Sequence, residues 1–162
     1  MSRQERLDWA CPPGTGGLAQ LDREEEDSRV MLIQAEHPEY EHAIRTGREI
    51  EVGGQTVNPT VHIAMHGIIV NQILENDPPE TWETAQRLEN LGYGRHDVIH
   101  MLGSAISTQI WGALEGAPPD PEAYKTALAG LPESWEALRE DGGSDQPANR
   151  PGNRIRGRHR RR

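Results

Sequence analysis

Between about residue 30 and residue 140, apolar positions fall into short runs with helical spacing, each closed by glycine or proline. Val30, Leu32 and Ile33, preceded by acids, predict a helix over residues 24–36. Pro38 restarts the chain, and P-E-Y-E-H-A-I-R-T predicts a short second helix stopped by Gly47. Ile50 and Val52 alternate with acids, Gly53-Gly54 marks a turn, and Thr56-Val57 resumes. That is the pattern of a small β-hairpin near residues 49–57.

Asn58-Pro59 pairs an N-cap residue with proline at the first helical position, and so predicts a helix running to about residue 75. Its middle, I-A-M-H-G-I-I-V, is apolar on nearly every side, which places it at the centre of the fold. Asp77-Pro78 repeats the start signal, for a helix that carries Trp82, Ala85 and Leu88 and ends at Gly92. Gly94 precedes a long helix over residues 95–115, with Val98, Ile99, Leu102, Ala105, Ile106, Ile110, Trp111 and Leu114 as its apolar set. Asp120-Pro121 and Pro132 open two last helices, the second with Trp135 and Leu138. The expected fold is mainly α: a compact helical bundle with one small hairpin, formed as a single domain by residues 23–140.

Composition adds the ends. Hydrophobic residues make up only 34% of the chain, and 17 glycines and 12 prolines lie among the rest. Part of the length therefore falls outside a core. Residues 1–22, with C-P-P-G-T-G-G, read as a disordered leader, and residues 141–162 as a disordered basic tail. The net charge of −9 conceals an asymmetry: seven of the 17 basic residues, and none of the acids, lie at or after residue 150. The acidic body repels nucleic acid. The tail arginines Arg150, Arg154, Arg156, Arg158, Arg160, Arg161 and Arg162 are a candidate contact for RNA or another acidic partner; composition alone also describes a solvated tail. The one cysteine, Cys11, forms no intrachain disulfide, reads as a free thiol in the leader, and fits a reducing cytoplasm. No signal-peptide core and no run of 18 apolar residues is present, so a soluble cytoplasmic protein is expected.

Candidate chemistry lies in two histidine pairs, His62 with His66 and His96 with His100. Each has i, i+4 spacing and so lies on one helix face within reach of a shared ion. Short connections, N-D-P-P and G-Y-G, make the three central helices antiparallel neighbours. The first and third are then parallel, and both pairs project from the same end of the bundle. The helix N-termini disfavour protonated imidazole, and the neutral ring is the metal-binding form. An all-nitrogen donor set suits zinc, nickel, copper or iron better than magnesium or calcium. Asp97 is a candidate carboxylate ligand or an orienting group. H-D-V-I-H is one methylene from the H-E-x-x-H pattern, in which glutamate is the base beside a catalytic zinc. Tyr93 precedes the second pair, as a ligand contact or a cover for the helix end. His37 and His42 read as surface or capping residues, and His159 lies in the tail.

The segments A-E-H-P-E-Y, G-Q-T-V-N-P-T-V-H-I-A-M-H, N-Q-I-L-E-N-D-P-P-E and G-Y-G-R-H-D-V-I-H-M-L-G together resemble a bacterial family described only as a domain of unknown function, number 1841, over about residues 29–115. The resemblance implies a small, mostly helical cytoplasmic domain. It carries His62, His66, His96 and His100, with Pro59, Gln72, Pro78 and His37-Pro38-Glu39-Tyr40, onto the family's own positions. Related chains often have glutamate where this one has Asp97, which weakens a hydrolase reading. The resemblance implies no reaction, substrate or partner.

Three functional readings follow. The first is a helical domain holding a transition metal, zinc above others, through His62, His66, His96 and His100 with Asp97, its molecular activity undefined. The second is an interaction module with a metal-free histidine core and a tail that contacts RNA or acidic partners. The third is a metal-dependent hydrolase with Asp97 or a bound water as base.

Overall fold

A computed structural model describes residues 1–52 and 55–141. Among them are eight α-helices and one hairpin: α1 (Arg3–Ala10), α2 (Glu26–Ala35), α3 (Glu41–Thr46), β1 (Ile50–Val52), β2 (Gln55–Val57), α4 (Pro59–Glu75), α5 (Pro79–Asn90), α6 (Arg95–Leu114), α7 (Pro121–Ala129) and α8 (Glu133–Asp141). The strands pair antiparallel, with Ile50 opposite Val57, Glu51 opposite Thr56 and Val52 opposite Gln55. The mainly α expectation with one small hairpin stands. None of these helices is long and apolar enough to cross a membrane. The arginine-tail contacts and His159 fall in 142–162, outside the described residues.

The start signals act as expected at two helices. Asn58 Oδ1 accepts from the Thr60 and Val61 amides, and Asp120 Oδ1 from the Ala123 amide. Gly47, at φ 65°, supplies the left-handed residue that ends α3. At α5 the start shifts: Asn76 caps the end of α4 in the left-handed region, Pro78 is the N-cap and Pro79 the first helical residue.

Helix α4 is central, packed against α1, α2, α5 and α6. Its Ile69, Val70, Ile73 and Leu74 are buried together with Ala85 and Leu88 of α5 and Val98, Ile99 and Leu102 of α6. Each of these valines, leucines and isoleucines stabilises the fold by about 1.5–3 kcal/mol through burial. The apolar set of α6 is corrected at its far end: Trp111 and Leu114 are 58% and 71% exposed, because the last turns of α6 run past the core.

The disordered-leader expectation is overturned over residues 3–11. Ser2 and Glu5 form a reciprocal capping box at the start of α1. Leu7, Ala10 and Cys11 are buried, and Trp9 packs edge-on against Trp82 with ring centroids 5.3 Å apart. Arg6 donates from Nε to the Ile73 carbonyl (2.8 Å) and from Nη2 to that of Leu74 (3.1 Å). Both are carbonyls of the last turn of α4, where backbone donors run short; the Ile73 carbonyl also accepts from the capping Asn76 amide (3.2 Å). Apolar residues of α1 cover the side of α4 left open by the other helices, so Cys11 is a core thiol and not a mobile one.

At the other end, Arg87 of α5 fixes the turn from α7 to α8. It donates to the carbonyls of Leu131 (2.6 Å) and Leu128 (3.0 Å). Tyr93 donates from its hydroxyl to Glu136 of α8 (2.6 Å), so it anchors that helix and does not face the histidines through its hydroxyl.

Candidate metal centre

Both histidine pairs come from the first turns of α4 and α6, and they meet. Ring centroids of His62 and His100 lie 5.0 Å apart, those of His66 and His100 4.7 Å, and those of His66 and His96 5.4 Å. The antiparallel order of α4, α5 and α6, closed by short connections, brings these N-terminal turns to one level.

A fifth ring sits among them. His37, between the end of α2 and the turn at Pro38–Tyr40, is 1% exposed and lies 4.6–5.9 Å in centroid distance from His62, His66, His96 and His100. The expectation of a surface place for His37 is therefore wrong, while the capping alternative stands: it is the N-cap residue of the turn at Pro38–Tyr40. Its Nδ1 donates to the Ile33 carbonyl at 2.9 Å. A carbonyl only accepts, so in the neutral ring Nε2 presents a lone pair, and that atom lies 3.2 Å from His62 Nε2. Tyr40 stacks on the His37 ring, 5.4 Å away and 10° from parallel. His42 is exposed, as expected, and accepts from Arg45 at 3.1 Å.

One ring nitrogen from each of His37, His62, His66 and His100 lies within 4.8 Å of those of the other three. The group differs from the expected set in three residues: His37 is in it, and His96 and Asp97 are not. His96 stays beside it, its centroid 4.4 Å from that of His100, with Nδ1 held 3.3 Å from Glu36 Oε2. Glu36 also pairs with Arg95. Burial pushes the Glu36 carboxyl up, but the hydrogen bonds from His96 and Arg95 outweigh it and hold the group below the usual carboxylate range. Asp97 falls outside the four-nitrogen group and lines the adjoining cleft.

The electrostatics favour neutral rings. Burial, and then the neighbouring histidines, lower His62 to about 4 and His100 to about 3, and push His66 lower still. The direction expected from the helix N-termini holds for these three, but desolvation is the larger cause. Nε2 of His66 and Nε2 of His100 are buried without a hydrogen-bond partner. An unsatisfied buried nitrogen costs about 1–3 kcal/mol. Two in one cluster, with four nitrogens converging, fit a cation that would accept their lone pairs.

The donor chemistry also fits. Metal–nitrogen bonds of about 2.0–2.1 Å in a tetrahedron put neighbouring nitrogens about 3.3–3.4 Å apart. The 3.2 Å between His37 and His62 is close to that edge. The 4.8 Å limit on the group leaves the widest pair to close by more than 1 Å for a regular tetrahedron.

The cluster is not sealed. A cleft of about 400 Å³ reaches His62, His66 and His100. Its other walls come from the hairpin (Val52, Val57), from Met65 of α4, and from Trp135, Leu138 and Arg139 of α8.

No curated protein and no solved structure matches the chain. Residues 19–130 match the family described as a domain of unknown function (DUF1841). That stretch holds all five clustered histidines and most of the chain, and on it the protein belongs to the DUF1841 family.

Proposed function

We propose that the domain binds one transition metal ion, zinc in class, through His37, His62, His66 and His100, with His96 and Glu36 supporting the site. The observation that carries this reading is that two of the four histidines whose ring nitrogens converge, His66 and His100, have a buried Nε2 with no hydrogen-bond partner. In a metal-free core no protein group satisfies either atom. A cation would accept from both and would share the lone pair that the Ile33 bond directs out of His37.

The ion's first contribution would be to stability. Its ligands come from α4, α6 and the turn after α2, so binding would add to the Glu36–Arg95, Glu36–His96 and Arg29–Asn71 contacts that already link these segments, and would staple the N-terminal end of the bundle. Four nitrogens complete a tetrahedral shell, so a hydrolytic role for Asp97 would need one histidine to leave or the shell to expand.

The test is elemental analysis of protein expressed with zinc, iron, nickel, copper and cobalt supplied. About one equivalent of a single metal is expected in the wild type. His66→Ala and His100→Ala should each fall below about a tenth of an equivalent while keeping helical circular dichroism. A folded wild type with less than a tenth of an equivalent of any of these metals would overturn the reading.

A further inference from the structure

The cleft beside the histidines is open to solvent on one side and lined elsewhere by several elements. The hairpin gives Val52 and Val57, and α4 gives Met65. At Gly103 of α6 an added Cβ would stand 3.2 Å from Met65 Cε, so the glycine leaves room for the methionine beside the cleft. The remaining wall is α8, where Trp135, Leu138 and Arg139 are spaced i, i+3, i+4 and so share one face. Arg139 Cζ lies 5.9 Å from the Trp135 ring centroid. The wall is fixed in place, through Tyr93 to Glu136 and through Arg87 to the turn before it.

Two features give the cleft a sign. Asp97 is the one acid among its described lining residues, and Arg139 offsets it. An ion on four neutral imidazoles would leave the lining net positive, and the N-terminal ends of α4 and α6 at the same level add partial positive charge. The apolar residues set the rest of the ligand's character. The wall that carries both Trp135 and Arg139 lies beyond residue 130, where the family match ends.

We infer that the cleft binds a small organic carboxylate with an apolar, ring-sized body, and that α8 selects it. The carboxylate pairs with the Arg139 guanidinium at the positive end, and the body lies against Trp135, Val52, Val57 and Met65. The sign of the cleft rests in part on the proposed metal; the shape and the arginine do not.

The probes are benzoate, acetate and benzylamine, measured by ligand-observed NMR on the full chain as purified and again after chelation, with metal content determined on each sample. Benzoate should bind at least tenfold more tightly than acetate, and benzylamine should not compete with it. Arg139→Met and Trp135→Ala should each weaken benzoate at least fivefold with metal content and circular dichroism unchanged. Benzoate binding that neither variant alters, or benzylamine binding more tightly than benzoate, overturns the inference. Metal present with no benzoate bound defeats the inference and leaves the metal reading standing. Arg139-dependent benzoate binding in a protein that never held metal defeats the metal reading and supports the cleft.

Discussion

His37 Nε2 lies 3.2 Å from His62 Nε2, although the two residues come from different segments of the fold. The Ile33 carbonyl fixes which His37 nitrogen carries the hydrogen, so the atom facing His62 is an acceptor. Without an ion, His62 must donate to it. With one, both lone pairs turn to a shared charge at about the spacing a tetrahedral site requires.

His37 and His96 should separate under mutation. His37→Ala removes a proposed ligand and should weaken metal binding by more than about 100-fold. His96→Ala removes only a neighbour held by Glu36, and should cost about 10–100-fold, the range for supporting residues. Competition titration with a chromophoric chelator reads both. Equal losses, or the reverse order, would return the ligand set to the one the helical spacing suggested.

The metal-free protein should be acid-sensitive. Folded His62, His66 and His100 bind protons less readily than unfolded histidine, whose value is about 6.5. The unfolded state therefore takes up more protons as pH falls, and stability rises with pH through this window. Their contribution is complete above about pH 6.5 and is lost on descending through about 4 for His62 and about 3 for His100. Thermal melts of chelated protein should show Tm falling steadily from pH 7 to pH 4.5. A Tm that stays level over that range would contradict the burial of these rings.

Leu7→Ala should destabilise the protein by about 2–4 kcal/mol, because the side chain is 2% exposed and leaves a cavity against α4. Urea unfolding measures it. A change under about 0.5 kcal/mol would mean that α1 does not pack on the bundle.

Much of this was legible in the sequence for identifiable reasons. Asn58-Pro59 and Asp120-Pro121 are local signals, and local hydrogen bonds to Asn58 and Asp120 answer them. The meeting of His62 and His66 with His100 followed from connection length, which is also local. His37 was missed because its role depends on how α2 docks against α4, which no spacing reports. The available signal was its place four residues after Ile33 of the buried pair Leu32–Ile33, since a polar residue ending an apolar face needs a partner. At the N-terminus, C-P-P-G-T-G-G outweighed Ser2 and Glu5, which spell a capping box three residues apart. The cleft wall on α8 had only the apolar Trp135 and Leu138 to announce it.

A buried polar junction offers a stability test away from the metal. Gln72 Oε1 accepts from Tyr124 (2.7 Å) and from Thr81 (3.0 Å), joining α4 to α7 and α5. Tyr124→Phe should cost about 1 kcal/mol, and Gln72→Leu more, because it takes the shared acceptor from two hydroxyls and leaves them only their 3.3 Å contact with each other. Denaturant midpoints compare them, and a Gln72→Leu protein as stable as Tyr124→Phe would show that water satisfies the hydroxyls.

The central claim is tested most directly by anomalous diffraction from crystals of the purified protein, collected on both sides of the absorption edge of the metal it carries. The account predicts one anomalous peak about 2.0–2.1 Å from a ring nitrogen of each of His37, His62, His66 and His100, with His96 bonded to Glu36 and outside the shell. A peak bound by His96 in place of His37 would contradict the ligand set, and no peak from metal-supplied protein, with His66 and His100 bonded to water, would contradict the site itself.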